Sequence, residues 1–454
     1  MLEDFEHASF NRSRPRDGLN QALQKRANFL NFLQQALSLV VVHLPVICAP
    51  FYMTIHTKWM ELLRMEAKDA FHYGECPCAP HASFCDGQIK LMGNTSSCWA
   101  DFLHSKFTST LMRHFEVYGC RTVVLAFDDK RHVPKAKSIT QRKRRDGVKI
   151  IEFGEADVLP ADMPAQWKEA IMNPWFKHRV IQLVCANVPR LISPPDGSRL
   201  IIDWETTTQY EYRDGQDPTE SMVDENASVG EADLKFPRWM TRLDCPMLVE
   251  ATDGDYIGIS LGIKASGCNQ PVVLLKAWTL EMGPEFVLVD AIHAFIRTAC
   301  LRAARGRPLP ESSHWEIKLF IVMLGLSGTD FTRNLPLISP TKMWDALPLL
   351  VQTFAMDTDT TIDLDQGRRI VELLYAEAFP KHIDPYVRRS VWSQAQASKL
   401  GQRNKALIPT DSRIVCTLRN INFLMAYWLT FEPPRAIESF GFRLGNGGVV
   451  EWDD

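Results

Sequence analysis

Two aspartates interrupt an apolar stretch in the middle of the 454-residue chain. The segment LVEATDGDYIGISLGI carries Asp253 and Asp255, and the apolar runs on either side of them are typical of buried strands. In an extended backbone, residues two positions apart point to the same side, so both carboxylates would face one small space. Paired carboxylates are suited to Mg²⁺ or Mn²⁺, but Thr-Asp-Gly-Asp is also good β-turn sequence. This stretch alone is compatible with a cation site or with a polar turn.

Further carboxylates stand where predicted apolar elements begin or end. The strand-like run TVVLAF leads into two acids, the segment VGEADLKFPRW places two acids at a helix start, and LGLSGTDF presents one after an apolar helix. These acids are Asp128 with Asp129, Glu231 with Asp233, and Asp330. Ligands of parallel sheets bind beyond the carboxyl ends of the strands, so the clusters would meet at one edge. Such a site would suit two metal ions that activate water and stabilise the leaving oxygen of a phosphodiester.

A basic run follows directly after Asp128 and Asp129. The segment KRHVPKAKSITQRKRRDGVK contains Lys135, Lys137, Arg142, Lys143, Arg144 and Arg145, close to helical spacing. Charge runs of this kind are often solvated helix faces or localisation signals. The position of the run beside a carboxylate cluster favours phosphate binding instead.

The overall composition is that of an ordinary globular protein. The chain is 46% hydrophobic and 23% charged, with a net charge of −3, and it requires no particular partner. Eleven scattered cysteines argue against a disulfide scaffold and predict an intracellular protein, nuclear or cytoplasmic. The apolar stretch 36–53 contains His43 and two prolines, which favours buried strand and turn. We therefore expect no membrane segment.

Helix-like and strand-like segments alternate along much of the chain. CRTVVLAF follows the helical pattern WADFLHSKFTSTLMRHFEV, and LDCPMLVEA follows DLKFPRWMTR. This alternation predicts an α/β fold with a mostly parallel sheet flanked by helices. The predicted regions are a helical N-terminal extension (1–35), an α/β domain (36–345) with an acidic hairpin and loop inserted at about 204–228, and a helical C-terminal region (346–454).

The motifs FDDKRHVPKAKSITQRKRR, GEADLK, ATDGD and LSGTDF resemble, in order and spacing, those of the 5′ nuclease superfamily. That superfamily contains the flap endonucleases, the XPG proteins and the Xrn-type 5′→3′ exoribonucleases, all with a PIN-like α/β domain. The resemblance covers roughly residues 40–345, and PKAKSITQRKRR and GTDFTRNLP are closest to the Xrn branch. It implies a metal-dependent nuclease acting on single-stranded RNA, or on flap or branched DNA.

The resemblance also assigns roles to particular residues. It implies catalytic ligands for two Mg²⁺ or Mn²⁺ ions at Asp128, with Asp129 as the adjacent alternative, and at Glu231, Asp233, Asp253, Asp255 and Asp330. It implies phosphate binding by Lys137, Gln141, Arg142, Arg144 and Arg145.

One position departs from the superfamily pattern. The first catalytic aspartate should close the first strand, where FYMTIHTKWM places His56. An imidazole can bind a metal but supplies no negative charge, and His56 is equally well explained as a partly buried strand residue. The same fold could then serve a nucleic-acid-binding or scaffold protein with impaired chemistry. A phosphatase or another Mg²⁺ hydrolase would explain the acids but leave the basic run without a role.

A loop rich in cysteine and histidine is a second candidate metal site. The segment HYGECPCAPHASFC contains His72, Cys76, Cys78, His81 and Cys85. Zinc needs four ligands of these types, although Cys-x-Cys spacing is less usual than Cys-x₂-Cys. Zinc binding by Cys76, Cys78, His81 and Cys85 is therefore weighed against a loop without metal.

Overall fold

The computed structural model describes residues 55–128, 136, 139, 151, 153, 159–224, 230–250, 253–279, 283–306, 309, 313–332, 335, 338–354, 356–378, 411–432, 434, 436–444 and 450–452. All of them belong to one compact unit, Thr54–Asp454. The predicted N-terminal extension (1–35) and the apolar stretch 36–53 lie outside the described residues.

The described strands include nine that form one large sheet. In chain order they are β1 (Phe71–Tyr73), β2 (Ala82–Asp86), β3 (Thr122–Ala126), β4 (Arg199–Asp203), β5 (Thr207–Glu211), β6 (Thr219–Asp224), β7 (Met247–Glu250), β8 (Val272–Thr279) and β9 (Gly283–Leu288). Two short antiparallel pairs follow, β10 (Met356–Thr358) with β11 (Thr361–Ile362) and β12 (Phe442–Leu444) with β13 (Val450–Trp452).

The described helices flank this sheet. They are α1 (Ile55–Glu66), α2 (Gly87–Met92), α3 (Trp99–Phe102), α4 (Ser109–Glu116), α5 (Trp167–Met172), α6 (Pro174–Leu191), α7 (Ala232–Leu243), α8 (Asp255–Ala265), α9 (Val289–Ala304), α10 (Trp315–Ser327), α11 (Pro340–Asp345), α12 (Leu347–Thr353), α13 (Leu364–Ala378) and α14 (Asp411–Thr430). A π-helical turn, Leu103–Thr108, joins α3 to α4. None of the helices in the described part of the chain has the length and apolarity needed to cross a lipid bilayer.

The large sheet is parallel at its centre and antiparallel at its edges. Its order is β1-β9-β8-β7-β2-β3-β4-β5-β6, and neighbouring strands from β8 to β4 run parallel. The pairs β1–β9, β8–β9, β4–β5 and β5–β6 are antiparallel. The predicted α/β class is therefore confirmed, with a mixed sheet whose central strands are parallel.

The central strands are buried on both faces. In β3, Val124 and Ala126 join one hydrophobic core, whereas Val123 and Leu125 join the core on the other face. Alternation of side chains along an extended backbone produces this division, and a strand buried on both sides reads as a continuous apolar run. Helices α2, α4, α5 and α6 cover one face, and α1, α7, α8, α9, α10 and α14 cover the other.

The C-terminal helix α14 is part of the core beside the sheet. Its Trp428 lies over Gly258 of α8, where an added Cβ would come within 2.1 Å of the indole Cζ3 atom. The backbone oxygen of Trp428 similarly occupies the space beside Gly262, one helical turn later. The predicted helical C-terminal region (346–454) contains α12, α13 and α14 where the chain is described, together with the short strands β10 to β13, and α14 packs continuously with the α/β part.

Two segments that the sequence predicted as strands are helices. His56 was expected to close a first strand, but it lies in α1, whose buried Trp59, Leu62 and Leu63 recur at helical spacing. Tyr256 to Leu261 was expected to continue a strand but belongs to α8, which is buried on all sides from Asp255 to Lys264. A helix buried all round lacks the polar face that would distinguish it from a buried strand.

The acidic interval at about 204–228 contains more strand than predicted. The expected hairpin is confirmed, because β5 pairs antiparallel with β4. Thr219–Asp224, expected as loop, instead forms β6 at the edge of the sheet.

Candidate active site

The centre of the sheet contains a reversal of strand order. From β2 the chain continues to β3 and β4 on one side and later adds β7 and β8 on the other. Ligands of open α/β sheets bind outside the carboxyl ends of the strands at such a reversal. The relevant side chains are therefore those that follow β2, β3 and β7.

Asp86 ends β2 and is held in place by three donors. Its Oδ1 accepts hydrogen bonds from the backbone N–H groups of Gln88 at 2.8 Å and Ile89 at 3.4 Å, which caps helix α2. Its Oδ2 accepts a hydrogen bond from the hydroxyl of Tyr256 at 3.1 Å. The residue is 8% exposed, so its carboxyl group is both buried and fixed in orientation.

Asp128 connects the end of β3 to the start of α7. Its Oδ1 accepts a hydrogen bond from the backbone N–H of Ala232, the first residue of α7, at 3.0 Å. Glu231 precedes that residue, Asp233 lies in the first turn, and Gly230 before them has a φ of 98°. The helix start predicted from VGEADLK is therefore confirmed.

The acids at this edge are close enough to influence one another. Burial, together with the charges of Asp128 and Asp233, raises the pKa of Asp86 to about 7. Burial also raises the pKa of Tyr256, with contributions from Asp86, Asp233 and Asp253. Asp86, Asp233 and Asp253 thus act on the Tyr256 hydroxyl, and Asp128 acts on Asp86; we call these four acids the acid cluster.

Asp253 and Asp255 stand at the beginning of α8 and not in an extended strand. Strand β7 ends at Glu250, Gly254 has right-handed helical angles, and Asp255 is the first helical residue. The backbone N–H of Asp255 donates a hydrogen bond to Asp253 Oδ1 at 3.4 Å. The predicted side-by-side pair on one strand is therefore wrong, because the chain turns here into a helix. The charge of Asp253 still acts on the Tyr256 hydroxyl. Asp255, two residues later, is buried.

A lysine side chain lies next to Asp253. Lys276 of β8 donates a hydrogen bond from Nζ to the backbone oxygen of Asp253 at 2.8 Å. Burial lowers the pKa of Lys276 to about 8, while the charges of Asp253 and Glu285 act in the opposite direction. The loop that presents Asp253 is thereby attached to the sheet.

A buried lysine holds the strand ends and α7 together. The Nζ atom of Lys235 donates to Asp203 Oδ1 at 2.9 Å and to the backbone oxygen of Phe127 at 2.8 Å. Trp239 Nε1 donates to the other oxygen of Asp203 at 2.6 Å. Because Phe127 precedes Asp128 and Lys235 follows Asp233, this network positions two members of the acid cluster.

Asp330 follows α10 after Gly328, as predicted, in a half-buried position. Its loop is folded by Thr332, whose Oγ1 donates to the backbone oxygen of Gly325 at 2.7 Å. A metal-binding role for Asp330, as for Glu231 and Asp255, stays a prediction. Asp129 and the predicted phosphate-binding residues lie outside the described residues; these are Lys137, Gln141, Arg142, Arg144 and Arg145.

The prediction that His56 closes the first strand is wrong. His56 does not end a strand, and the residue at the end of β2, the first of the central parallel strands, is Asp86. The sequence signal was present in ASFCDGQ, an apolar run that ends in an acid and is followed by a helix. The cysteines and histidines just before this run favour a loop instead, which conceals the signal.

The predicted zinc ligands Cys76, Cys78, His81 and Cys85 are not brought together as a set, although the thiols of Cys76 and Cys78 contact each other. Cys85 is a buried residue of β2 whose neighbours among metal-ligating groups are His114 and Glu250. Within the described part of the chain, none of the groupings of such side chains includes Cys76, Cys78 or His81. The reason is that Cys85 belongs to a strand and faces a sheet surface, whereas the others precede that strand.

No protein-family model matches the sequence, and no curated protein matches it either.

Proposed function

We propose that this protein is a metal-dependent 5′ nuclease with a PIN-like fold, acting on single-stranded RNA or on flap or branched DNA. The observation that carries the proposal is the convergence of Asp86, Asp128 and Asp233 where the strand order reverses. These carboxyl groups come from three separate places in the chain: the end of β2, the segment after β3 and the first turn of α7. The resemblance of the ordered motifs to the 5′ nuclease superfamily supports the same conclusion.

A divalent cation fits the acid cluster. Carboxyl oxygens are the preferred ligands of Mg²⁺ and Mn²⁺. A cation would offset the cost of burying the Asp86 carboxylate and its repulsion by Asp128 and Asp233. Asp86, Asp128, Asp233 and Asp253 would hold two such ions. When bound at such a site, the ions activate water and stabilise the leaving oxygen of a phosphodiester.

The chain itself contributes preorganisation. The backbone of α2 and the Tyr256 hydroxyl orient Asp86, and the backbone of Ala232 orients Asp128. Lys235 holds the ends of β3 and β4 together through the Phe127 backbone oxygen and the Asp203 carboxylate. Carboxylates held in this way cannot turn away from one another, and fixed groups of this kind avoid reorganisation during reaction.

The nucleic-acid strand would be held by the basic run. Lys137, Gln141, Arg142, Arg144 and Arg145 follow Asp128 in sequence by nine to seventeen positions. The charges of the lysine and the three arginines would bind phosphate without reading sequence, which suits an enzyme that acts from a 5′ end.

The main argument for the alternative, a binding or scaffold protein with impaired chemistry, no longer applies. It depended on the apparent exchange of the first acid for His56. Asp86 supplies a carboxyl group at the end of the first central strand, so this exchange no longer argues against catalysis.

The test is cleavage of 5′-phosphorylated RNA and DNA oligomers, single-stranded and flapped, with Mg²⁺ or Mn²⁺ and with chelator. We expect metal-dependent cleavage by the parent protein, loss of cleavage in Asp86→Asn, and unchanged cleavage in Asp365→Asn, a matched change at an exposed residue of α13. Absence of cleavage by the parent with every substrate and metal would reject the proposal in favour of binding without catalysis.

A further inference from the structure

A second group of metal-ligating side chains lies outside the acid cluster. His293 on α9, and His314 and Glu316 at the start of α10, each offer a ligand atom within 4.8 Å of the other two. His293 Nε2 lies 3.1 Å from Glu316 Oε1, and the rings of His293 and His314 are 6.0 Å apart between centroids. Ligand atoms of two imidazoles and one carboxylate therefore lie close enough together to contact one ion.

The spacing fits a metal of the size of zinc. Zinc binds histidine nitrogen and carboxylate oxygen at about 2.0–2.1 Å, which places two ligands of a tetrahedron about 3.3 Å apart. The separation of His293 from Glu316 is already close to that edge, and small side-chain rotations would bring His314 to it.

A cavity adjoins the group and supplies room for a further ligand. Its volume is about 270 Å³, and its lining includes His314 and Glu316 together with Ser313, Arg297 and Leu301. A cavity of this size holds several water molecules, since one water occupies about 30 Å³ in the liquid. Arg297 lies one helical turn after His293 on α9, so its charge would also favour an anion in the cavity.

We propose that His293, His314 and Glu316 form a binding site for Zn²⁺ or a similar transition metal, with a fourth coordination position open to this cavity. Two histidines and one glutamate are a donor set that zinc uses in sites that keep a water or a small ligand in the fourth position. Imidazole ligands favour zinc, cobalt, nickel and copper over Mg²⁺. The site is thus chemically distinct from the acid cluster.

The protein frame is suited to hold these ligands. Glu316 is 5% exposed in the first turn of α10, and His293 comes from the middle of α9, a helix that packs against α10. His314 precedes α10 with left-handed backbone angles, φ 50° and ψ 35°, which set the direction of its side chain. Ligands on packed helices vary less in position than ligands on long loops.

The other group of this kind in the described part of the chain, Cys85, His114 and Glu250, is less suited to a metal. Lys90 forms an ion pair with Glu250, and His114 Nε2 donates a hydrogen bond to the same carboxylate at 3.2 Å. Both oxygens of Glu250 are thus already engaged, one by Lys90 and the other by His114.

The experiment is a titration of the chelator-treated full-length protein with Co²⁺, followed by visible absorption. Four-coordinate Co²⁺ absorbs strongly, whereas six-coordinate Co²⁺ in an oxygen-rich site such as the acid cluster absorbs weakly. We expect one equivalent of strongly absorbing Co²⁺ that Zn²⁺ displaces. His314→Asn keeps a residue that tolerates left-handed backbone angles and should abolish this signal, as should Glu316→Gln.

A matched control is provided by His178 and Glu205, an exposed pair 3.6 Å apart. His178→Asn and Glu205→Gln should leave the Co²⁺ absorption and the Zn²⁺ affinity unchanged. In His314→Asn, zinc affinity should fall by more than the roughly 10–100-fold typical of residues that only orient metal ligands.

Two results would overturn the proposal. One is the absence of strongly absorbing Co²⁺ in the parent protein, a result that does not depend on how any variant folds. The other is an equal signal in the parent and in a His314→Asn variant whose circular dichroism shows a retained fold. Either would leave His293 and Glu316 as an ordinary ion pair.

Discussion

The hydroxyl of Tyr256 donates a hydrogen bond to Asp86 Oδ2 at 3.1 Å, across 170 positions of the sequence. This contact joins the first turn of α8 to the end of β2, and both residues are buried. It favours the ionised form of Asp86, in opposition to burial and to the charges of Asp128 and Asp233. The contact thereby couples the position of α8 to the charge of the proposed active site.

Replacement of Tyr256 by Phe removes this donor without changing the packing volume appreciably. A proton would then compete more strongly with a metal for Asp86. Apparent Mn²⁺ affinity should therefore fall by roughly tenfold near pH 7, because a hydrogen bond to a charged group contributes about 1.5 kcal/mol. The loss should be smaller at pH 9. Calorimetric titration at both pH values measures this, and an equal loss at both would show that Tyr256 does not act through the Asp86 proton.

The raised pKa of Asp86 also has a consequence for stability. Its value of about 7 in the folded chain exceeds the ordinary 3.8, so the folded chain holds this proton more tightly than the unfolded chain. The free energy of unfolding contributed by Asp86 is therefore largest below about pH 4 and is lost as pH rises through 7.

Asp86→Asn cannot ionise and should remove that loss. In chelator at pH 8, we expect the variant to exceed the parent in free energy of unfolding by up to about 4 kcal/mol, from about three pKa units at 1.36 kcal/mol each. At pH 4 the two proteins should differ little. Denaturant unfolding of parent, Asp86→Asn and Asp365→Asn at both pH values makes the comparison. A difference independent of pH would contradict the assigned titration.

The buried pair of Lys235 and Asp203 should be critical for stability. Lys235→Met leaves the Asp203 carboxylate buried without its cation, which costs about 3–5 kcal/mol when a buried ion pair is broken on one side. The paired change Lys235→Met with Asp203→Leu should recover part of this loss, because neither charge remains. Unfolding by denaturant measures both, with Lys168→Met as the exposed control. A loss no greater than that of the control would show that the pair is not needed.

Packing of α14 on α8 depends on the absence of a side chain at Gly258. In Gly258→Ala, the new Cβ would meet the indole of Trp428 at 2.1 Å. We expect destabilisation of about 1–3 kcal/mol from overpacking, despite the better helix propensity of alanine. Gly93→Ala is a suitable control, because the space around Gly93 is open. Equal thermal midpoints for the parent and Gly258→Ala would show that α14 moves aside without cost.

If the basic run binds phosphate, its loss should change the salt dependence of binding. Arg144→Ala with Arg145→Ala should weaken binding of single-stranded RNA of any sequence and reduce the slope of log affinity against log salt by about 1.4, at about 0.7 for each lost phosphate contact. Arg213→Ala with Arg302→Ala replaces two exposed arginines elsewhere and serves as control. An unchanged slope would indicate that the run is a solvated helix face or a localisation signal.

Local sequence determined the parts of the site whose signals are contiguous. The β-branched run TVVLAF forms β3 and leads to Asp128, and glycine followed by EADLK begins α7 with Glu231 and Asp233. These features were predictable because strand propensity, helix capping and the position of acids at element ends act between near neighbours. The α/β class followed from the same local alternation.

Only the tertiary structure decided which other residues share the site. Tyr256, Asp203 and Lys235 come from α8, β4 and α7, and their hydrogen bonds depend on how the sheet orders its strands. A short apolar run such as the one before Asp86 or after Asp255 does not reveal whether it will form strand or buried helix, because both environments exclude polar residues. The residue at the end of the first central strand was therefore expected to be His56 but is Asp86, since burial against distant parts of the chain, and not local propensity, determines the conformation of such runs.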